Sequence, residues 1–99
     1  MASPELIVLV RFKSPLTLEE VTKVMDARIE DFRALSGLTQ KYYLQDPATG
    51  EYGGLYLWSS PEAFTAYRES DLRASIGAAY QTEGEPRVEV LNVIKTLRD

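Results

Sequence analysis

Between Leu38 and Trp58 two aromatic-rich runs, Leu38–Gln45 and Tyr52–Trp58, flank the segment Asp46-Pro47-Ala48-Thr49-Gly50-Glu51. Runs of this kind bounded by Pro, Gly and Asp read as strands, and a short Gly-containing loop between them reads as a hairpin. Pro47 presets φ, Asp46 bonds the backbone ahead of it, and Gly50 takes positive φ without steric cost. A loop over Pro47–Gly50, with Asp46 opposite Glu51, fixes the register, and the register fixes the faces. Lys41 then lies opposite Tyr56, Tyr43 opposite Gly54, and Thr39 opposite Trp58. Leu38, Tyr42, Leu44, Leu55 and Leu57 fall on the other face. One face of the hairpin is greasy, and the other is aromatic with an amine in it.

The remaining pattern completes a fold. Glu5–Phe12 is a short, nearly continuous apolar run, hence a buried strand ended by Ser14-Pro15. Thr17 and Glu20 form a capping box that opens a helix. Leu18, Val21, Met25, Ile29 and Phe32 make its apolar stripe; Glu19, Lys23, Asp26, Glu30 and Arg33 face away. Gly37 is the expected left-handed stop. After the hairpin, Ser60-Pro61-Glu62 starts a second helix running to about Glu69. Ser70-Asp71 reads as a second cap, with a bend, before Leu72, Ile76 and Ala79. Thr82–Pro86 is expected to be a loop and Arg87–Leu97 the last strand. Strand, helix, strand, strand, helix, strand is the ferredoxin-like βαββαβ plan of the α+β class. A four-stranded antiparallel sheet then carries both helices on one face. Residues 1–99 read as a single domain, because smaller pieces could not bury a core.

An antiparallel sheet wet on one side should alternate apolar and polar residues. Here Leu6, Val8, Val10 and Phe12 face Ile7 and Leu9 across the first strand, and Val88, Val90 and Ile94 face Leu91, Val93 and Leu97 across the last. Two helices cover only one of those faces. The other face predicts a two-fold homodimer, joined through the side of the sheet opposite the helices.

Composition removes several function classes. The chain has 15 acids against 11 bases and a net charge of −4, without a basic cluster, which argues against nucleic acid as a partner. Cysteine and histidine are both absent, so thiolate catalysis, disulfides and the commonest metal and haem ligands are missing. No apolar run reaches membrane-spanning length, and the first residues do not follow a signal-peptide pattern. The sequence thus predicts a soluble, cytoplasmic protein with no membrane partner.

Arg11, Lys41, Tyr43, Tyr56 and Trp58 are the candidate pocket. A cation beside aromatic rings can orient a carboxylate, phenolate or carbonyl while the rings grip a flat molecule. A lysine among apolar groups has its charged form disfavoured and can act as a base near neutral pH. The plainer alternative is that Lys41 snorkels to the edge while Tyr56 and Trp58 pack a dimer interface. Gly53-Gly54 inside a strand predicts a bulge, or else space for a ligand above the sheet. Tyr67, Arg68 and Tyr80 would close one end of a cavity.

Gly37-Leu38, Lys41-Tyr42-Tyr43, Gly53-Gly54-Leu55-Tyr56-Leu57-Trp58 and Glu62-Ala63-x-x-Ala66-Tyr67 resemble the YdhR-like family of proposed monooxygenases. That family belongs to the dimeric α/β-barrel superfamily, with the antibiotic-biosynthesis-type monooxygenases. The resemblance covers nearly the whole chain and is strongest from Gly37 to Tyr67. It implies the ferredoxin-like fold, a homodimer, and oxidation of activated aromatic substrates by O₂ without metal, flavin or other cofactor. The substrate's own carbanion would supply the electrons. The haem-degrading branch uses a histidine ligand, which this chain lacks. Two functional readings result. In the first, a cofactor-independent monooxygenase or related enzyme acts on a small, flat, aromatic or apolar acidic molecule. Lys41 or a tyrosine assists deprotonation, Arg11 steadies the anion, Trp58 and Tyr56 hold the ring, and Tyr43, Gly54 and Tyr67 complete the substrate site. In the second, the dimer binds a small ligand without turnover.

Overall fold

The computed structural model describes residues 4–98. β1 (Leu6–Lys13) leads to α1 (Leu18–Arg33), then β2 (Leu38–Gln45) and β3 (Tyr52–Trp58). α2 (Pro61–Arg68), α3 (Asp71–Ala74) and α4 (Ile76–Tyr80) follow as a broken helical segment, and β4 (Glu83–Asn92) closes the sheet. All pairings are antiparallel, in the order β2-β3-β1-β4. This is the ferredoxin-like α+β arrangement.

Local chemistry places most boundaries. Glu20 N–H donates to Thr17 Oγ1 at 3.2 Å and Thr17 N–H donates to Glu20 Oε1 at 2.9 Å, so the capping box satisfies two otherwise orphaned donors. Ser60 and Ser70 cap α2 and α3 through the backbone N–H groups of Ala63 and Arg73. The Ser70 cap is the reason the second helical segment breaks. In the hairpin loop, Asp46 N–H donates to Glu51 O and Gly50 N–H to Asp46 O, both at 2.8 Å, with Gly50 at φ +79°.

Several details differ from the sequence reading. Thr39 does not pair with Trp58. Leu38 does, Gln40 pairs with Leu57, and Thr39 is the extra residue of a bulge, its hydroxyl donating to Leu57 O at 2.8 Å. The bulge moves Leu38 off the greasy face and packs it against the helix-side core. Gly37 has φ +85° but does not end α1, which stops at Ala34; it turns the chain into β2, where Ser59 N–H donates to its carbonyl. Gly53-Gly54 is no bulge, since both residues keep regular register with β1 and β2. Thr82–Pro86 is not a loop. β4 begins at Glu83, and two extra residues are absorbed between the pairs Lys13–Glu83 and Arg11–Arg87, with Gly84 at φ +72°. Pro86 is tolerated because β4 is an edge strand. The same strand stops at Asn92 rather than Leu97. Leu6 pairs with Asn92 and Val93 N–H donates to Glu5 O, after which β1 offers no further partner.

Register sorts the side chains by face. Leu6, Val8 and Phe12 are buried toward the helices, in two clusters centred on Trp58 and Phe32 and on Val21 and Tyr80. The opposite face carries Ile7, Leu9, Leu55 and Leu57 together with Tyr42, Leu44 and Leu91, the last three well exposed. Among the described residues, no helix is long and apolar enough to cross a membrane.

Candidate functional site

A cavity of about 290 Å³ lies between the helix-facing side of the sheet and the segment α2–α4. Val8, Val10, Gly54 and Tyr56 form its floor; Tyr67, Ile76 and Tyr80 wall it; Arg68, Arg73 and Glu85 line it as well. β4 is thinly covered, and Val88, which also lines the cavity, is 47% exposed.

Lys41 enters from β2. Its Nζ lies 3.5 Å from the centroid of the Phe32 ring, 4.3 Å from that of Tyr43 and 4.5 Å from that of Tyr56. Gly54 makes room for this packing: a Cβ there would sit 3.0 Å from Tyr56 Cε1 and 3.2 Å from Lys41 Cε. Gly53 answers a different need, since a Cβ would meet Val10 O at 2.1 Å. Trp58 is fully buried and stacks on Tyr56, the rings 6.3 Å apart and 2° from parallel. Tyr67 OH donates to Tyr56 OH at a long 3.5 Å.

The electrostatics follow from this packing. Burial pushes the Lys41 ammonium down to about 7, and the Arg28 charge adds to the effect. Rings attract a cation, but they replace few of the hydrogen bonds an ammonium makes to water, and desolvation wins. Burial pushes the tyrosines the other way: Tyr56 well above its ordinary range, Tyr67 and Tyr43 upward, and Tyr80 to about 12. At neutral pH the phenols keep their protons while the amine has largely lost its preference for one. Lys41 is thus the group lining the cavity that can give up its proton near neutrality, and the tyrosines are neutral hydrogen-bonding groups.

Of the residues singled out from the sequence, Lys41, Tyr43, Gly54, Tyr56, Trp58 and Tyr67 all line this cavity, as do Arg68 and Tyr80. Arg11 does not. It alternates with Val10 and Phe12, so it points to the opposite face, where it pairs with Asp46 at 2.5 Å between cross-strand neighbours Gly53 and Arg87. The hydrogen bond to Asp46 raises the Arg11 pKa and correspondingly lowers that of Asp46.

Phe32, Arg28 and Arg73 were not identified from sequence. Phe32 was read only as core. Arg28 lies three residues after Met25 and four before Phe32, on the buried stripe of α1, and that position was a usable signal. It bonds Ser75 Oγ at 2.9 Å and Leu72 O at 3.3 Å, tying α1 to the broken segment, while its Nε is buried without a partner. Arg73 follows an N-cap and carries no periodic signature. Among the described residues, neither Lys41, Arg28, Arg68 nor Arg73 forms an ion pair, and Glu85 is the sole carboxylate lining the cavity. Nor do the described residues bring three or more His, Cys, Asp or Glu together in a way that could hold a metal ion.

Residues 6–90 match the family model described as "Putative mono-oxygenase ydhR". The chain belongs to the ydhR family. No curated protein matches it. Among solved structures, this ydhR-family chain is similar to NE2512, a protein of unknown function from Nitrosomonas europaea, with TM-score 0.79 and 16% identity over 100% of this chain and 98% of that one. It is similar to SnoaB, a cofactor-independent oxygenase from Streptomyces nogalater, with TM-score 0.75 and 15% identity over 98% and 100%. A "putative antibiotic biosynthesis monooxygenase" from Caulobacter crescentus CB15 gives TM-score 0.75 and 22% identity over 94% and 92%. At these identities the likeness concerns the fold.

Proposed function

We propose that this ydhR-family protein is a cofactor-independent monooxygenase for a small, flat, aromatic and acidic molecule. The observation that carries the proposal is Lys41, an amine with its pKa near 7 set in an aromatic-walled cavity without a carboxylate partner. A neutral Lys41 takes the acidic proton of a bound phenol or enol. The resulting carbanion adds to O₂, forming a C–O bond, and the hydroperoxide loses water to leave a carbonyl. Electrons come from the substrate, so no redox group is required. Tyr56, backed by the buried Trp58, holds the ring, Tyr43 and Tyr67 donate hydrogen bonds to its oxygens, and Gly54 leaves room for it. Arg68 and Arg73, which form no ion pair among the described residues, favour an anionic product of deprotonation. Arg11 has no part in this scheme.

The working unit is a homodimer joined through the open sheet face. Tyr42, Leu44 and Leu91 are 53%, 39% and 53% exposed there, and Ile94 and Leu97 beyond β4 are 97% and 90% exposed. Exposed apolar groups in such number favour covering by a second copy. Light scattering at micromolar concentration should give twice the chain mass; a monomer would refute this part.

Activity is tested by oxygen uptake with a panel of hydroquinones, naphthols and phenols. Uptake dependent on the protein, with water and a quinone-type product, is expected. Saturable binding of the same compounds without oxygen uptake would instead support a ligand-binding dimer with no turnover.

A further inference from the structure

Of the lysines in the chain, Lys13, Lys23 and Lys95 are exposed, whereas Lys41 lines the cavity. Its amine faces Phe32, Tyr43 and Tyr56, and no described carboxylate pairs with it. The charged and titratable groups around it are Arg28 of α1, Tyr43 of β2 and Tyr56 of β3, with Tyr67 of α2 behind Tyr56. Asp26 and Arg33 of α1 act on Tyr43 rather than on Lys41.

Such a cage treats three forms of the nitrogen differently. An ammonium must give up water from every N–H and finds only ring faces in exchange. A free amine loses far less. An iminium has a single N–H and a delocalised charge, so it loses little water and still gains the attraction of the rings. Surroundings that discourage an ammonium therefore tolerate both the reactant and the product of imine formation, the situation of desolvated Schiff-base lysines. The neighbouring phenols remain protonated and can assist the loss of water.

We propose that Lys41 is a covalent carbonyl-capture site, condensing with small aromatic aldehydes or ketones that enter the cavity. The amine lone pair adds to the carbonyl carbon, and a proton moves from nitrogen to oxygen to give a carbinolamine. The hydroxyl then leaves as water and a C=N bond forms. Nothing is oxidised or reduced, and no co-reactant is needed. The capture uses the cavity of the proposed oxygenation but consumes no O₂, so each can fail without the other.

The test treats the full chain anaerobically with 4-hydroxybenzaldehyde and cyanoborohydride, across neutral to alkaline pH, and maps the reduced adducts by peptide mass spectrometry. Among the lysines, one adduct is expected, at Lys41, whether or not the α-amino group also reacts. Its rate at pH 7 should exceed that of the exposed Lys13, Lys23 or Lys95 by at least about tenfold, because the ring-walled cavity favours the free amine that attacks the carbonyl. A lower-pKa amine is also a weaker nucleophile, which keeps the expected ratio well below the ratio of free-base fractions. The Lys41 rate should level off above about pH 8, one unit past its titration. Lys41→Arg should lose the adduct and leave labelling elsewhere unchanged. Uniform labelling of all lysines, or an adduct confined to the amino terminus, would overturn the proposal. The map of the unmodified sequence decides this alone, even if the variant fails to fold.

Discussion

Strand alternation sends two of this small sheet's cations, Arg11 and Lys41, to opposite faces. Arg11 comes out on the open side and meets Asp46 at 2.5 Å, a contact that holds it charged. Lys41 comes out on the helix side and meets Phe32, Tyr43 and Tyr56, a contact that holds it near neutrality. Among the described residues, the first cation has a counter-ion and lies outside the helix-side cavity; the second lines that cavity and has no counter-ion. Both are cations in water, but only the lysine can give up its proton when buried. Their chemistry is decided by which face each strand turns toward the helices.

The contrast breaks most sharply at Lys41. Lys41→Met keeps the aliphatic stem and removes the base, so kcat/KM for oxygen-dependent turnover should fall by about a hundredfold or more, as for loss of a general base. An oxygen electrode with the best substrate of the panel reads this directly; a change of less than about threefold would assign the base elsewhere.

The same variant should be more stable than the parent, on the order of 2–3 kcal/mol at pH 7. The sign follows from the lowered pKa. Below about 7 both folded and unfolded chains carry the proton, and the folded state bears the full cost of a buried charge. Between about 7 and the ordinary 10.5 only the unfolded chain holds it, so stability rises with pH through that window. The gain from Lys41→Met should therefore shrink toward zero as pH approaches 10.5. Urea unfolding at neutral and alkaline pH would show it; a gain independent of pH would contradict the assignment. Greater stability with lost activity is the trade expected of a strained functional group.

Gly54→Ala sharpens the comparison from the side of packing. Its Cβ would press on Tyr56 Cε1 at 3.0 Å and Lys41 Cε at 3.2 Å. A loss of about 1–2 kcal/mol, typical of overpacking, should come with a several-fold fall in turnover. Gly50→Val, at φ +79° with nothing near the added side chain, should cost about 1 kcal/mol through backbone strain alone, and it should leave the Lys41 titration unmoved. Arg11→Gln has the smallest expected effect. Thermal unfolding should shift slightly, and kcat/KM should stay at the parent value.

Much of this arrangement was legible before any coordinates. The loop residues Asp46, Pro47 and Gly50 dictated a register that pairs Lys41 with Tyr56 and Tyr43 with Gly54, and the capping residues Thr17, Ser60 and Ser70 placed three helix starts. What escaped depended on contacts between distant segments. Arg11 joined the candidate pocket because hairpin parity says nothing about how β1 is turned relative to β2. The Thr39 bulge left no mark in a polar residue that suits a strand. Gly84 and Pro86 looked like a loop because breaker residues are local signals, while their tolerance in β4 comes from its place at the sheet edge. Arg28 was hidden as a charged residue on an apolar stripe, its partners Leu72 and Ser75 lying more than forty positions onward.

The proposed chemistry depends on the protonation state of one amine, and nuclear magnetic resonance can observe it. With ¹³C-lysine incorporated and Lys41 assigned by comparison with Lys41→Met, the Cε shift should titrate with a midpoint near 7. A midpoint close to 10.5 would mean that Lys41 is an ordinary ammonium, and the proposed base would be gone.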